Sequence, residues 1–199
     1  MSRSASSATT ASIAAFAAAA ASARLTELTF DSDSLLNSGI RDPHLTRAYT
    51  TSTPTGASVP RQPTVLSANP GLPAAQQSAT LNWKSREMTI GGTTRAVDGL
   101  KRKSNVLSGT RYWRWGSDGA EYKVRLVEGM WLASDASSGE PIASLTSVNQ
   151  SSVARTTRST AHHAHLPTLR LANSVRNEAQ RQFLVLVLLY SETNRQDRE

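Results

Sequence analysis

Eight apolar residues follow one another without interruption near the C-terminal end of the sequence, Phe183-Leu-Val-Leu-Val-Leu-Leu-Tyr190, with polar residues on both sides. In a helix each residue turns the chain by about 100°, so the run completes more than two turns and presents apolar surface in every direction. Such a segment needs cover all round. A bilayer would provide it, but a spanning helix takes about 20 apolar residues, and this one reaches only about 12 Å of a core about 30 Å thick. A transmembrane span is excluded, and protein must do the covering. The lead-in Arg176-Asn-Glu-Ala-Gln-Arg-Gln182 is made of good helix formers and favours a helix. A buried strand is the rival, because Val185 and Val187 suit one and short apolar runs are ambiguous by periodicity alone.

Material for the cover lies between Ala79 and Thr146, where apolar and polar residues alternate with the period of strands. Leu81 and Trp83 alternate with Thr80, Asn82 and Lys84. Met88 and Ile90 lead into Gly91-Gly92, and the chain returns through Thr94 and Ala96; paired glycines supply the positive φ of a tight hairpin. Trp113 and Trp115 share a face, Gly116 to Gly119 turns the chain, and Tyr122, Val124 and Leu126 return on one face. Glu128-Gly129 makes another turn, Met130 to Ala133 a strand, Asp135 to Gly139 a loop, and Ile142 to Leu145 a strand. Short strands at this spacing predict an antiparallel meander, closing as a barrel or pairing as a sandwich, with its tryptophans and tyrosines in the core.

The rest of the chain reads as trimmings. Residues 1–24 are almost entirely Ala, Ser and Thr and offer too little apolar surface to fold, so a disordered leader is expected ahead of one domain over 25–199. A signal peptide ending at Ala21-Ser22-Ala23 and an organellar transit peptide are the competing readings. Alanine makes a poor signal core, and Arg3 and Arg24 are few for a transit peptide. Five of the eight prolines fall between Thr53 and Ser78, which predicts a surface insertion over about 53–78; a Ser, Thr, Arg and His-rich stretch predicts a second over about 147–166.

The order of elements resembles a fungal family known only as a domain of unknown function. The resemblance is carried by Leu28-Thr-Phe30, Leu35-Leu-Asn37, Leu81-Asn-Trp83, Met88-Thr-Ile-Gly-Gly92, Tyr112-Trp-Arg-Trp115, Gly119-Ala-Glu-Tyr-Lys123, Ser138-Gly-Glu-Pro-Ile-Ala143 and Phe183 to Tyr190. That family looks like a relative of the tubby C-terminal and LURP-one barrels. The resemblance implies a mainly β fold with α, an antiparallel meander closed into a β-barrel around the hydrophobic C-terminal helix. Tubby proteins bind phosphoinositides, so it also implies a lipid-directed role.

Chemistry is sparse in the sequence. The absence of cysteine removes disulfide scaffolds, thiolate metal sites and cysteine nucleophiles together. There is no G-x-S-x-G elbow, H-E-x-x-H helix, Walker loop or dinucleotide fingerprint. His162, His163 and His165 sit in a polar stretch without the framework a metal site needs, so neither metal nor cofactor is expected. The densest basic cluster is Lys101-Arg102-Lys103, with Arg95 and Arg111 near it; Lys101, Arg102, Lys103 and Arg111 are the candidate contacts for phosphate groups. With a net charge of +7 the chain favours acidic partners. The expectation is a non-catalytic, intracellular binding or scaffold domain whose partner is an anionic phospholipid or a protein. An enzyme of unrecognised type and a weak nucleic-acid binder are the alternatives, the last disfavoured by acidic residues interspersed among the basic ones.

Overall fold

A computed structural model of the chain describes residues 25–44, 46–54, 61–68, 73, 76–103, 109–147 and 166–199. Seven strands, β1 (Leu25–Phe30), β2 (Ser38–Arg41), β3 (Arg47–Ser52), β4 (Thr64–Ala68), β5 (Ser78–Asn82), β6 (Glu87–Ile90) and β7 (Thr93–Ala96), run up and down in chain order. After a one-turn helix, α1 (Val97–Leu100), come β8 (Lys101–Lys103), β9 (Arg111–Arg114), β10 (Glu121–Val127), β11 (Met130–Asp135), β12 (Pro141–Thr146) and β13 (Thr168–Ala172). The long helix α2 (Glu178–Gln196) is the last element. Because β13 pairs with β1 over Leu25 to Thr29, the two meanders join into one antiparallel sheet of 13 strands whose edges are β7 and β8.

Those edge strands are consecutive in the chain, and this shapes the sheet. Laid flat, it would be roughly 58 Å across at a strand spacing of about 4.8 Å. The link from Ala96 to Lys101 reaches at most about 18 Å. The end of β7 and the start of β8 therefore lie within that reach of each other, although the hydrogen-bonded ladder stays open between them. Two of the hairpins turn as expected on residues of positive φ: Gly91 (58°) and Gly92 (77°) between β6 and β7, Glu128 (45°) and Gly129 (76°) between β10 and β11.

The helix α2 is buried against the sheet. Every residue from Phe183 to Tyr190 is buried, none more than 8% exposed, and the helix touches β6 from one meander and β11 and β12 from the other. The helix shares one continuous cluster of buried apolar residues with Leu28, Ile40, Leu66, Leu81, Met88, Leu145, Leu169 and Leu171 of the strands. Asn177 starts the helix, its side-chain oxygen accepting from the backbone N–H of Ala179 at 2.9 Å and Gln180 at 3.3 Å. The helical reading of the apolar run holds, and the helix continues six residues beyond Tyr190.

Part of the stretch read as a Pro-rich insertion over about 53–78 belongs to the sheet. Thr64–Ala68 is an interior strand with Thr64 and Leu66 fully buried. Its prolines flank the strand instead of entering it: Pro63 precedes the first residue, and the five that follow, Thr-Val-Leu-Ser-Ala, keep their N–H groups for β3 and β5. Strands β1, β2, β3 and β13 also lie outside the span where alternation is plain. The leader over 1–24 and most of the second insertion, residues 148–165, fall outside the described residues.

Candidate functional site

Pairing of β8 with β9 sets the geometry of the basic cluster. Lys101 lies opposite Trp113, Arg102 opposite Tyr112 and Lys103 opposite Arg111, so strand alternation sends Lys101 and Arg102 to different faces. Arg102 turns outward, forms a two-point ion pair with Glu121 at 2.9 and 2.6 Å, and stacks 4.3 Å over the ring of Tyr112. Hydrogen bonding from Arg102, joined by Arg114, holds the Glu121 carboxyl below the usual carboxylate range. Lys103 is exposed at the strand end. Lys101 turns toward the end of α2. Its ammonium sits 2.9 Å from Asp98, 3.4 Å from the Tyr190 hydroxyl, and over the rings of both Tyr190 and Trp113.

Arg86 arrives at the same place from the turn before β6, where it has a φ of 56°. Its guanidinium donates to Asp98 at 3.1 Å and to the Tyr190 hydroxyl at 3.3 Å. Lys101 foremost, and Arg86 after it, hold the Asp98 carboxyl below its ordinary range. Tyr190 is fixed from three sides: it stacks on Trp83 at 5.9 Å, meets Trp113 edge to face at 5.8 Å, and takes both cations at its hydroxyl.

Two residues further along α2, Glu192 is fully buried and fully bonded. Its two oxygens accept from Trp131 Nε1 at 2.9 Å, from Arg195 at 2.8 Å on each side, and from Gln196 at 2.9 Å. Burial alone would push this carboxyl up, but the hydrogen bonds from Arg195 and Trp131 outweigh it and leave it below the usual range. The bond to Trp131 pins the end of the helix to β11.

Between these anchors lies a groove of about 820 Å³. Arg86, Lys101, Arg111, Arg125, Arg195 and Arg198 line it, with Glu199 as the acidic lining residue. Its apolar wall is Trp113, Val124, Leu126, Trp131 and Tyr190. Leu126 keeps the face expected of it but not the burial. Tyr122 and Val124 are buried, but Leu126 is 40% exposed, because at its level α2 has passed from apolar residues to Ser191 and Asn194. A smaller pocket, about 290 Å³, lies at the seam between the sheet edges, where Arg95 of β7 stacks 5.6 Å over Trp115.

Of the four candidate residues, the structure brings Lys101 and Arg111 to the groove and leaves Arg102 on the other face and Lys103 exposed. Arg86, Arg125, Arg195 and Arg198 join them from distant parts of the chain and were not singled out by local charge density. Tyr190 was visible only as the last residue of the apolar run. Among the described residues no group of three or more His, Asp or Glu is placed to hold a metal ion, and no helix is long and apolar enough to cross a membrane. His162, His163 and His165 lie outside the described residues. Compared with known family models, curated proteins and solved structures, the chain finds no match in any of the three.

Proposed function

We propose that this chain is a non-catalytic binding domain of the tubby-like kind, a β-barrel rolled around α2, and that its groove receives the anionic headgroup of a phospholipid from the intracellular side of a membrane. The barrel reading rests on the cyclic strand order, in which every strand neighbours the next in sequence except at the β7–β8 seam, where Arg95 and Trp115 stack across the gap. The lipid reading is carried by one observation: six cationic side chains from β6, β8, β9, β10 and α2 and their adjoining turns converge on one concave surface with an apolar wall. Cations gathered at this density attract the negative surface of an anionic leaflet with about 1 kcal/mol each.

Flotation with phosphatidylcholine vesicles, with and without an anionic phospholipid, tests this at low and high salt. Binding to the anionic vesicles is expected, weakening as salt rises. The triple variant Lys101→Ala, Arg111→Ala, Arg198→Ala should lower it roughly 100-fold, from about 3 kcal/mol of lost attraction. Arg102→Ala should leave it nearly unchanged. Equal binding to neutral vesicles, an intact triple variant, or a gel shift showing tighter binding to duplex DNA than to anionic vesicles would overturn the reading.

A further inference from the structure

The turn between β9 and β10 carries Ser117, in the sequence Arg114-Trp-Gly-Ser117-Asp-Gly119. Ser117 is exposed, and its hydroxyl has no hydrogen-bond partner among the described residues. One backbone bond closes the turn, from the Gly119 N–H to the Gly116 carbonyl at 3.1 Å, and the two glycines leave it easy to open. Arg114 stands three residues ahead of the serine, a spacing that basophilic protein kinases select. An exposed serine behind an arginine is common; its surroundings set this one apart.

Ser117 lines the small pocket of about 290 Å³ together with Arg95, Lys101, Arg102 and Arg114, and among the described residues no carboxylate lines it with them. Arg114 already reaches the turn, its Nη1 donating to the Ser117 carbonyl at 3.3 Å. Arg95 approaches from β7: a β-carbon placed on Gly116 would stand 3.5 Å from its guanidinium. Lys101 has Asp98 as its partner, whereas Arg102 and Arg114 share the single carboxylate of Glu121. Arg95 lies over the Trp115 ring and has no carboxylate partner among the described residues. Three guanidiniums against one carboxylate leave two positive charges beside the serine, and a phosphoserine carries about −1.5 to −2 at pH 7. Asp118, exposed and next in the chain, offsets part of that excess.

We infer that Ser117 is a phosphorylation site whose phosphate is received by Arg95 and Arg114, tying the β9–β10 turn to the free edge of β7. The serine oxygen attacks the γ-phosphorus of a nucleoside triphosphate held by a protein kinase. A P–O bond to the serine forms as the bond to the β-phosphate oxygen breaks, the nucleoside diphosphate departs, and the hydroxyl proton goes to the kinase's base. The three terminal oxygens then accept from guanidiniums whose planar forks suit them. Because β7 is an edge of the sheet, a bridge from it adds a link where the hydrogen-bonded ladder has none. Ser117 does not line the larger groove, and its modification does not depend on what binds there.

The test places phosphoserine at position 117 of the full chain by genetic encoding and compares it with the parent by ³¹P NMR and thermal melting. The phosphate should titrate near pH 5, below its ordinary value of about 6, and the melting temperature should rise by about 3 °C. Arg95→Gln should return both toward the ordinary values in the phosphorylated chain, and shift the melting of the unphosphorylated chain by no more than about 1 °C. A phosphate that titrates at about 6, a melting temperature that does not rise, or a rise that survives Arg95→Gln overturns the inference. Incubation of the parent with magnesium ATP and a calmodulin-dependent kinase, which selects arginine three residues before its serine, should add a phosphate that mass spectrometry locates at Ser117 and that Ser117→Ala lacks. Phosphate found only at other residues, or at none, also overturns it.

Discussion

The two ends of α2 hold their charge in opposite ways. At the N-terminal end Glu178 is pushed by burial above the ordinary carboxylate range, and its Oε1 has no hydrogen-bond partner among the described residues. The Tyr49 phenol beside it is pushed up by burial first and by the Glu178 carboxylate second. At the C-terminal end Glu192 is more deeply buried, yet four hydrogen bonds hold it ionised below the usual range. The number and kind of donors that reach the carboxylate, more than the depth of burial, decide the sign. The comparison also separates scaffold from site. Charge at the first end is enclosed by the fold at some cost, whereas cations at the second outnumber the carboxylates near them.

The largest expected effect lies between the ends, in the segment that holds them apart. Leu186→Asp would place a carboxylate in the middle of the buried run, at a cost of several kcal/mol that is comparable with the whole stability of a domain. Circular dichroism should show a chain that has lost its cooperative melt. A variant melting like the parent would mean that α2 is not enclosed, and the contrast between its ends would lose its basis.

Next in size is Glu192→Ala, which leaves the Trp131 N–H and the Arg195 guanidinium without their acceptor and should cost about 3 kcal/mol in urea unfolding. The pH dependence sharpens the comparison. A carboxyl whose folded pKa is depressed contributes stability above its unfolded value of about 4, and that contribution is lost as pH falls through the folded value. Glu178 is raised instead, so its contribution improves as pH falls toward the carboxylate range. Unfolding measured between about pH 7 and pH 3 should therefore show a shallower acid loss for Glu192→Ala and one that begins at higher pH for Glu178→Gln. Parallel curves for both variants would erase the distinction.

How much of this was visible beforehand depended on how local each signal is. The buried helix could be argued from eight consecutive side chains, and the hairpins at Gly91-Gly92 and Glu128-Gly129 from neighbouring residues. Strand β4 was hidden because the prolines around Thr64–Ala68 dominate the composition of their window, although none of them interrupts the ladder. Strand β13 is five residues long and meets its partner β1 across about 140 positions, a pairing no local window contains. The groove was partly visible for the same reason. Lys101 stood out by charge density, but density cannot tell which face of a strand a residue takes, so Arg102 looked equivalent to it. Arg86, Trp113 and Tyr190 become one site only when the fold brings β6, β9 and the end of α2 together.

The smallest effect is the most discriminating. Asn177→Ala removes the two hydrogen bonds that cap α2 and should lower stability by about 1 kcal/mol. The cap precedes Tyr190, the first helix residue of the groove, by 13 positions, about 20 Å along the axis. If the ends are independent, the variant melts lower but binds anionic vesicles as the parent does, while the triple variant Lys101→Ala, Arg111→Ala, Arg198→Ala does the reverse. Sites this far apart without shared partners are expected to add, so the combined variant should show the sum of the two changes in each measurement. Weaker vesicle binding in Asn177→Ala at a temperature where it is fully folded would show that α2 transmits strain along its length. In that case the two ends would have to be treated as one device.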